Sequence, residues 1–311
     1  MKKVAFLFPG QGAQHVGMGT DLIAEFAVAR AVFDEADEAL GFSLSTLCRE
    51  GPEDALALTE NTQPALLATS VATARVLESE GGIVPAIAAG HSLGEWSAWV
   101  VVGALDFAAA LRAVRERGRL MQAAVAPGVG AMSAVMGADL ETVRALCEES
   151  SQEGSVVVPA NINGSRQVVV AGHAGAVERL EARAGEARHR TTRLNVSAPF
   201  HSPLMAPAAE GLSEVLDSLE VTTPRVPVVT NVEARPLEDP SEVVRLLREQ
   251  ITAAVRWEEC ARAIAGEAEE GIEVGAGRVL CGLMKRIDRA FPCRPTGDAA
   301  AVRTCLEELG A

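Results

Sequence analysis

A serine flanked by glycines is the feature of this sequence best suited to covalent chemistry. The segment GHSLG at 90–94 follows a short apolar run at 86–89, which predicts a buried strand that turns tightly into a helix. In such a turn the glycines let neighbouring backbones pass closely, and the Ser92 hydroxyl is exposed as a nucleophile. The helix N-terminus adds positive potential where an oxyanion would form. The alternative is a plain turn in which Ser92 caps the helix.

A serine hydroxyl needs a general base, and the chain offers five histidines. His201 is the favoured base, because in the segment SAPFHSPLM two prolines brace it and a phenylalanine shields it. His91 adjoins Ser92, but neighbouring side chains on a sharp turn are expected to point apart. The others lie in the opening loop or between residues 127 and 197 (His15, His173 and His189). An unperturbed histidine titrates near ~6.5, so acylation is expected to rise with pH through the neutral range.

A third member of a catalytic triad is missing from the pattern. In α/β-hydrolases an acidic residue lies between the serine and the histidine in the chain. Here nearly all acidic residues between Ser92 and His201 fall within 127–197, where the order of elements is different. This weakens the interpretation as an ordinary esterase.

The glycine-rich segment FLFPGQGAQHVGMG at 6–19 raises the question of a phosphate-binding loop. The dinucleotide fingerprint would need a glycine where His15 stands, and the Walker A pattern would need a lysine that the segment lacks. Both nucleotide interpretations are therefore disfavoured. An ordinary strand-to-helix turn is the alternative.

Composition narrows the function classes. The chain has 311 residues, 48 % of them hydrophobic, and a formal net charge of −14. Nucleic acid is disfavoured as a partner, because phosphate neutralisation needs a basic surface. No apolar run approaches the ~18 residues of a membrane helix and no signal peptide is evident, so a cytoplasmic protein without membrane contact is expected. Six scattered cysteines without a C-x-x-C pair argue against zinc and against disulfides.

The chain contains two different orders of predicted strands and helices. Residues 1–126 and 198–311 alternate strands and helices, which predicts a mainly parallel sheet covered on both faces. Residues 127–197 show the order β-α-β-β-α-β, which is that of a ferredoxin-like unit. The expected fold class is therefore α/β, with a small domain inserted into a larger one. Outside the insert, predicted strands lie at 4–8, 86–89, 226–230 and 271–274, and predicted helices at 21–39, 64–79, 106–125, 208–219 and 241–252.

Eight ordered motifs together resemble the malonyl-CoA:acyl carrier protein transacylases of fatty acid synthesis and the related acyltransferases of polyketide synthesis. They run nearly from end to end: LFPGQGAQ (7–14), NTQPAL (61–66), GHSLGEWSA (90–98), RGRLMQ (117–122), NINGSRQVVVAG (161–172), APFHSPLM (198–205), QITAAVRW (250–257) and EVGAGRVLCGLMKRI (273–287). The resemblance implies an α/β-hydrolase-like catalytic domain with a ferredoxin-like insert, in agreement with the two orders of predicted elements.

The resemblance also implies roles for individual residues. Ser92 would be the nucleophile, and His201 would be its base and then the acid for the leaving thiol. The backbone carbonyl of Gln250 would orient His201 in place of a carboxylate. The backbone N–H groups of Gln11 and Leu93 would form the oxyanion hole, so that the opening loop would hold no phosphate.

Arg117 would determine specificity, because a guanidinium can bind the free carboxylate of a malonyl group with two parallel hydrogen bonds. A solvent-facing arginine is the alternative, and the adjacent Gly118 favours the first interpretation because it lets this helix turn pack closely. Two positions depart from the family's usual pattern: Trp96 replaces a tyrosine, and Ala276 replaces a proline.

The implied activity is ping-pong transfer of a malonyl group from coenzyme A, through Ser92, to the phosphopantetheine thiol of an acyl carrier protein. Neither a metal nor a cofactor is expected besides the coenzyme A thioester itself. The alternatives are a discrete polyketide acyltransferase, an editing acylhydrolase or thioesterase with the same Ser-His pair, and a non-catalytic docking module. A monomer is expected. An acidic carrier would need a local basic patch, for which the candidates are two clusters (Lys285 and Arg286; Arg183, Arg188 and Arg190).

Overall fold

The chain forms two separate β-sheets flanked by helices. The computed structural model describes residues 2–164, 166–196 and 198–310. Its strands are Val4–Phe8 (β1), Ile87–Gly90 (β2), Gly130–Met136 (β3), Val157–Ile162 (β4), Gln167–His173 (β5), Arg190–Arg193 (β6), Val228–Val229 (β7), Pro236–Leu237 (β8), Glu270–Glu273 (β9) and Cys293–Pro295 (β10). The predicted α/β class, with a mainly parallel sheet and a separate antiparallel one, is confirmed.

Helices cover both faces of the larger sheet. Their bounds are Thr20–Glu25 (α1), Ala27–Leu40 (α2), Leu44–Glu50 (α3), Glu53–Ala57 (α4), Thr59–Gly81 (α5), Leu93–Val101 (α6), Phe107–Ala123 (α7), Leu140–Ser150 (α8), Ala174–Glu186 (α9), Ala206–Gly211 (α10), Ser213–Asp217 (α11), Pro240–Glu249 (α12), Trp257–Glu267 (α13), Val279–Ile287 (α14) and Ala299–Leu309 (α15). A short 3₁₀ turn at Pro203–Met205 precedes α10.

The larger sheet has the order β10-β9-β1-β2-β7-β8, and all neighbouring strands are parallel except β7 and β8. Every residue of β1 and β2 is buried, as expected for central strands that are covered on both faces. The carboxyl ends of β1, β2 and β7 lie side by side. The loops that carry Gln11, Ser92 and Asn231 start at these ends, so the topology gathers the three residues at one edge of the sheet.

The smaller sheet is antiparallel, with the order β4-β5-β3-β6. Helices α8 and α9 pack on it around an apolar core that includes Val135, Val168 and Leu180. The sheet is joined to the loop after α12 by two backbone hydrogen bonds, since Val255 accepts from Ile162 at 2.8 Å and donates to Ala160 at 2.9 Å. These bonds hold the end of β4 against the larger domain.

Several predicted bounds were wrong for local reasons. The helix expected at 21–39 is broken at Phe26, whose extended backbone (φ −112°, ψ 119°) separates α1 from α2. The helix expected from Pro64 begins five residues earlier, so Pro64 lies inside it, where its missing N–H leaves the carbonyl four residues back without that helical bond. The strand expected at 226–230 is paired only at β7. The expected domain boundary at 197 falls on Ser197, outside the described residues.

Candidate active site

Ser92 lies on a strained turn between β2 and α6. Its φ of 53° and ψ of −105° are unusual for a residue with a side chain, and such strain persists only where the surroundings enforce it. The side chain makes no capping hydrogen bond to α6. Its Oγ lies 2.7 Å from His201 Nε2 instead. The plain turn with a capping serine is therefore not what the chain forms.

Glycines make this turn sterically feasible. A Cβ on Gly90 would lie 1.9 Å from the backbone carbon of Gly94, and a Cβ on Gly94 would lie 2.0 Å from the carbonyl oxygen of Phe8. In the opening loop, a Cβ on Gly10 would lie 2.4 Å from the carbonyl oxygen of His91. The predicted close passage of backbones is thus confirmed. It brings the loop after β1 against the serine turn.

His201 is held between Ser92 and the end of α12. Its Nδ1 lies 2.8 Å from the backbone oxygen of Gln250, and the histidine is buried. A carbonyl oxygen only accepts, so Nδ1 carries the proton and donates it. The unprotonated Nε2 then faces the Ser92 hydroxyl as an acceptor. A backbone carbonyl thus occupies the place that a carboxylate takes in a Ser-His-Asp triad.

The pKa of His201 is not in the neutral range. Burial, and after it the positive charge of Arg117, lower this pKa to about 3. His201 therefore stays unprotonated, and able to accept a proton, at any pH well above that value. A rise of acylation through the neutral range is therefore not expected to come from His201 in the free protein, because the sequence does not reveal how deeply the ring is buried.

The other histidines do not reach Ser92. His91 points away from it, and its Nε2 lies 2.9 Å from Asn163 Oδ1. Nδ1 of His15 contacts the carbonyl of Ala13, and His173 bonds within the smaller sheet (Val156).

The two residues whose backbone N–H groups are expected to form the oxyanion hole, Gln11 and Leu93, lie beside Ser92. Leu93 is the first residue of α6, and Gln11 lies in the loop after β1; both line the cavity at Ser92. Within 2–164, 166–196 and 198–310, neither N–H donates to a protein acceptor. The N–H of Ser92 itself is engaged, since it donates to Asn231 Oδ1 at 2.7 Å. The role of Gln11 and Leu93 stays a prediction, and the geometry is compatible with it.

Arg117 is buried beside Ser92, and the solvent-facing alternative is wrong. Its Nη1 donates to Gln63 Oε1 at 2.8 Å, and its Nη2 donates to Gln250 Oε1 at 2.9 Å and lies 3.3 Å from Ser92 Oγ. The adjacent glycine has the predicted effect: a Cβ on Gly118 would lie 2.5 Å from the backbone oxygen at the start of α5. Close packing of α7 on α5 therefore carries the guanidinium into the site.

A cavity of about 110 Å³ lies over Ser92, and polar side chains line it together with apolar ones, among them Met121, Met132 and Phe200. It shares Gln11, His91, Asn161, Leu194 and Val196 with a wider cleft of about 850 Å³ that reaches the surface. The inner space suits a small acyl group, and the outer cleft suits a longer arm that carries it.

Three polar residues of the site were missed by the sequence analysis. Gln63 binds Arg117, while Glu95 and Asn231 lie behind the serine turn and bond each other. Gln63 and Glu95 stood in quoted motifs and Asn231 followed the strand predicted at 226–230, but neither pattern showed which side chains face inward. The described residues contain no cluster of His, Cys, Asp and Glu that could hold a metal ion, and none of their helices is long and apolar enough to cross a membrane.

Comparison with known proteins agrees with this geometry. The family model of the acyl transferase domain matches residues 5–288. The malonyl CoA-acyl carrier protein transacylase of Bacillus subtilis (strain 168) is 44 % identical over 99 % of this chain and 98 % of its own length. That of Escherichia coli (strain K12) is 43 % identical over 99 % and 100 %.

Solved structures give the same result. The malonyl CoA-acyl carrier protein transacylase of Coxiella burnetii superposes with a TM-score of 0.96 at 38 % identity and covers 100 % of this chain and 98 % of its own. A malonyl-transacylase solved in complex with its type II PKS acyl-carrier protein has a TM-score of 0.95 at 43 % identity, with coverage of 98 % and 99 %.

Proposed function

The chain belongs to the acyl transferase family, together with the malonyl CoA-acyl carrier protein transacylases, and from that premise we propose that it transfers a malonyl group from coenzyme A to the thiol of an acyl carrier protein. The observation that carries the proposal is the contact between the buried guanidinium of Arg117 and the hydroxyl of Ser92. A buried cation beside an acylation site favours an acyl group that bears a carboxylate.

The transfer proceeds in two halves. Ser92 Oγ attacks the thioester carbonyl and gives its proton to His201 Nε2; the C–S bond then breaks, and the coenzyme A thiol leaves with that proton. In the second half, the carrier thiol gives its proton to His201 Nε2 and its sulfur attacks the carbonyl of the serine ester. The C–Oγ bond then breaks, His201 returns the proton to Ser92 Oγ, and the malonyl group leaves as a thioester of the carrier. The Gln250 carbonyl holds the imidazole, and the N–H groups of Gln11 and Leu93 stabilise each oxyanion.

Substrate charge strengthens the base in this scheme. The positive charge of Arg117 is one cause that lowers the pKa of His201. A malonyl carboxylate paired with that guanidinium offsets the charge, so the histidine becomes a better proton acceptor once the correct substrate is bound. An uncharged acyl group gives no such compensation.

Incubation with malonyl-CoA and holo acyl carrier protein tests the function. We expect malonyl-carrier protein as the main product, detected by its mass, with free malonate formed much more slowly. Malonate without malonyl-carrier protein would instead identify a hydrolase with the same Ser-His pair. If neither malonyl-carrier protein nor malonate forms, acyl transfer is refuted.

We further propose that residues 1–126 and 198–311 form a hydrolase-like catalytic domain and that 127–197 form a ferredoxin-like insert. The order β4-β5-β3-β6, with α8 and α9 as the two helices of a β-α-β-β-α-β unit, supports the second assignment. The separate apolar core of that unit supports it as well. The monomeric state stays a prediction.

A basic groove next to the cleft is the proposed docking surface for the carrier. The groove has a volume of about 500 Å³, and four cations line it (Arg166, Lys285, Arg286 and Arg289). It shares Asn163 and Gln167 with the cleft that leads to Ser92. A carrier bound there could pass its arm directly into the cleft. The other predicted cluster is less suitable, since Arg183 is 3.4 Å from Glu149 and partly neutralised.

Charge reversal separates the two predicted clusters. The double change Lys285→Glu and Arg286→Glu is expected to raise the KM for carrier protein roughly tenfold, because like charges then oppose docking. The KM for malonyl-CoA should change little. The double change Arg188→Glu and Arg190→Glu, in the other predicted cluster, is the matched control and should leave both constants near wild type. A normal carrier KM in the double variant would place docking elsewhere.

A further inference from the structure

A buried carboxylate lies directly behind the serine turn. Glu95, in the first turn of α6, is 1 % exposed. Its Oε2 accepts from the N–H of Asn231 at 2.9 Å and from Gln250 Nε2 at 2.7 Å. Among the described residues no group lies within hydrogen-bond distance of its Oε1, although the Trp99 side chain is close enough to lower the pKa of Glu95. A buried charge is costly unless it is compensated. Two hydrogen bonds to one oxygen offset only part of the cost of burying the carboxylate charge, so another group must offset the rest.

Arg117 is a buried cation whose charge is also only partly compensated. In the described part of the chain its guanidinium bonds only to amide and hydroxyl oxygens (Gln63, Gln250 and Ser92), and its Nε has no partner. No ion pair joins Arg117 to a carboxylate there. The side chain of Gln250 lies between the two charges, because its Nε2 donates to Glu95 and its Oε1 accepts from Arg117 at 2.9 Å.

We propose that Glu95 is the counter-charge of Arg117, acting through the Gln250 amide, and that it limits how tightly the site holds the carboxylate of an acyl group. This inference rests on the proposed function. In the free protein, Glu95 stabilises the guanidinium and fixes which end of the amide faces it. When a malonyl group binds, its carboxylate meets a cation that is already partly compensated.

Weaker binding of the malonyl carboxylate favours turnover. Binding the substrate and the transition state equally tightly lowers KM without raising kcat. A malonyl group held too strongly by an uncompensated arginine would also be slow to leave the site on the carrier. Glu95 is therefore a positioning and tuning residue, and it does not touch the reacting atoms.

The variant Glu95→Gln isolates the charge. Both hydrogen bonds go to one oxygen, so a carboxamide with its oxygen in that place keeps them. The comparison is made well above the pKa of Glu95, where the wild-type carboxylate is charged. With that charge lost, the malonyl carboxylate is no longer repelled by a second anion, so the KM for malonyl-CoA should fall roughly three- to tenfold while the KM for acetyl-CoA stays the same. A merely structural role would instead lower kcat for both substrates and leave the ratio of the two KM values unchanged.

A matched control is available in Glu273→Gln. Glu273 is another buried carboxylate, and it accepts the backbone N–H of Leu280 on Oε1 and that of Cys281 on Oε2 at the start of α14. Glu273→Gln therefore loses one of these bonds as well as the charge, which makes it a stringent control for structural damage. Its neutralisation should not change the KM ratio. A malonyl-CoA KM that is unchanged or raised in Glu95→Gln would overturn the inference. An absence of malonyl transfer in the wild type would instead refute the proposed function.

A measurement on the wild type keeps the inference testable if that variant does not fold. Burial raises the pKa of Glu95 to about 7, against the effect of its donors and of Arg117. As pH rises through that value the carboxylate gains its charge, so the malonyl-CoA KM should rise relative to the acetyl-CoA KM. Three other ionisable groups lie close by, namely Arg117, Cys260 and His201. They do not titrate there, because burial lowers the pKa of Arg117 to about 10, raises that of Cys260 and lowers that of His201 to about 3. A pH-independent ratio would count against the inference.

Discussion

Replacement of Ser92 by alanine is expected to abolish both the covalent malonyl adduct and malonyl transfer. The wild-type protein incubated with malonyl-CoA should gain one malonyl mass, located on Ser92 by peptide mapping. The strained turn presents only this hydroxyl to His201 Nε2, at 2.7 Å. Loss of a serine nucleophile in a comparable hydrolytic site costs on the order of 10⁶ in kcat, so any residual rate should be barely measurable.

Ser97 provides the control for this experiment. It lies on the same helix and is buried, and its hydroxyl has no hydrogen-bond partner among the described residues. Ser97→Ala should therefore keep the adduct and nearly all activity. A malonyl mass on another residue, or full transfer by Ser92→Ala, would refute a serine ester as the intermediate.

Local patterns predicted the parts of the fold and site that depend on neighbouring residues. Alternating elements gave the α/β class, and the glycine spacing around Ser92 gave the turn, because both are properties of short segments. His201 was preferred for the prolines beside it, and the structure places it against Ser92, 109 positions away along the chain. That pairing could be inferred only from the small number of histidines and from resemblance to a family.

Properties that depend on packing were not visible in the sequence. Glu95 and Asn231 bond across 136 positions, and nothing in GEWSA indicated that its carboxylate faces inward. The carbonyl of Gln250 has no side-chain signature, because every residue carries one. The lowered pKa of His201 likewise comes from burial and from Arg117, which only the folded chain brings together.

The identity of the acyl group is expected to depend on Arg117. A carboxylate that leaves water loses much of its hydration energy unless it is paired, and a two-pronged guanidinium compensates for that loss. Gln63 and Gln250 hold this guanidinium so that its Nη2 lies 3.3 Å from Ser92 Oγ. The free carboxylate of a malonyl ester on Ser92 would lie close to that guanidinium. An acetyl group leaves the buried cation without its anionic partner, which disfavours it.

Arg119 gives a matched control for Arg117 on the same helix. It is exposed and pairs with Glu116 at 2.6 Å. Arg119→Ala should therefore leave kcat/KM for malonyl-CoA and for acetyl-CoA near wild type. Any large change in this variant would mean that the helix tolerates no truncation, and that effects at Arg117 are not specific.

Arg117→Ala should lower malonyl transfer by roughly 2–5 kcal/mol in kcat/KM, the range for breaking a desolvated charge pair. Acetyl transfer should fall much less or rise, because loss of the nearby cation removes one cause of the lowered pKa of His201 and so yields a stronger base. Arg117→Lys should restore malonyl transfer only in part, since an ammonium cannot form two parallel bonds to a carboxylate. The measurement is the ratio of kcat/KM for malonyl-CoA to that for acetyl-CoA in the three proteins. If this ratio is the same in all of them, Arg117 only supports the packing of α7, and the preference for malonyl must arise from the apolar side chains around the cavity.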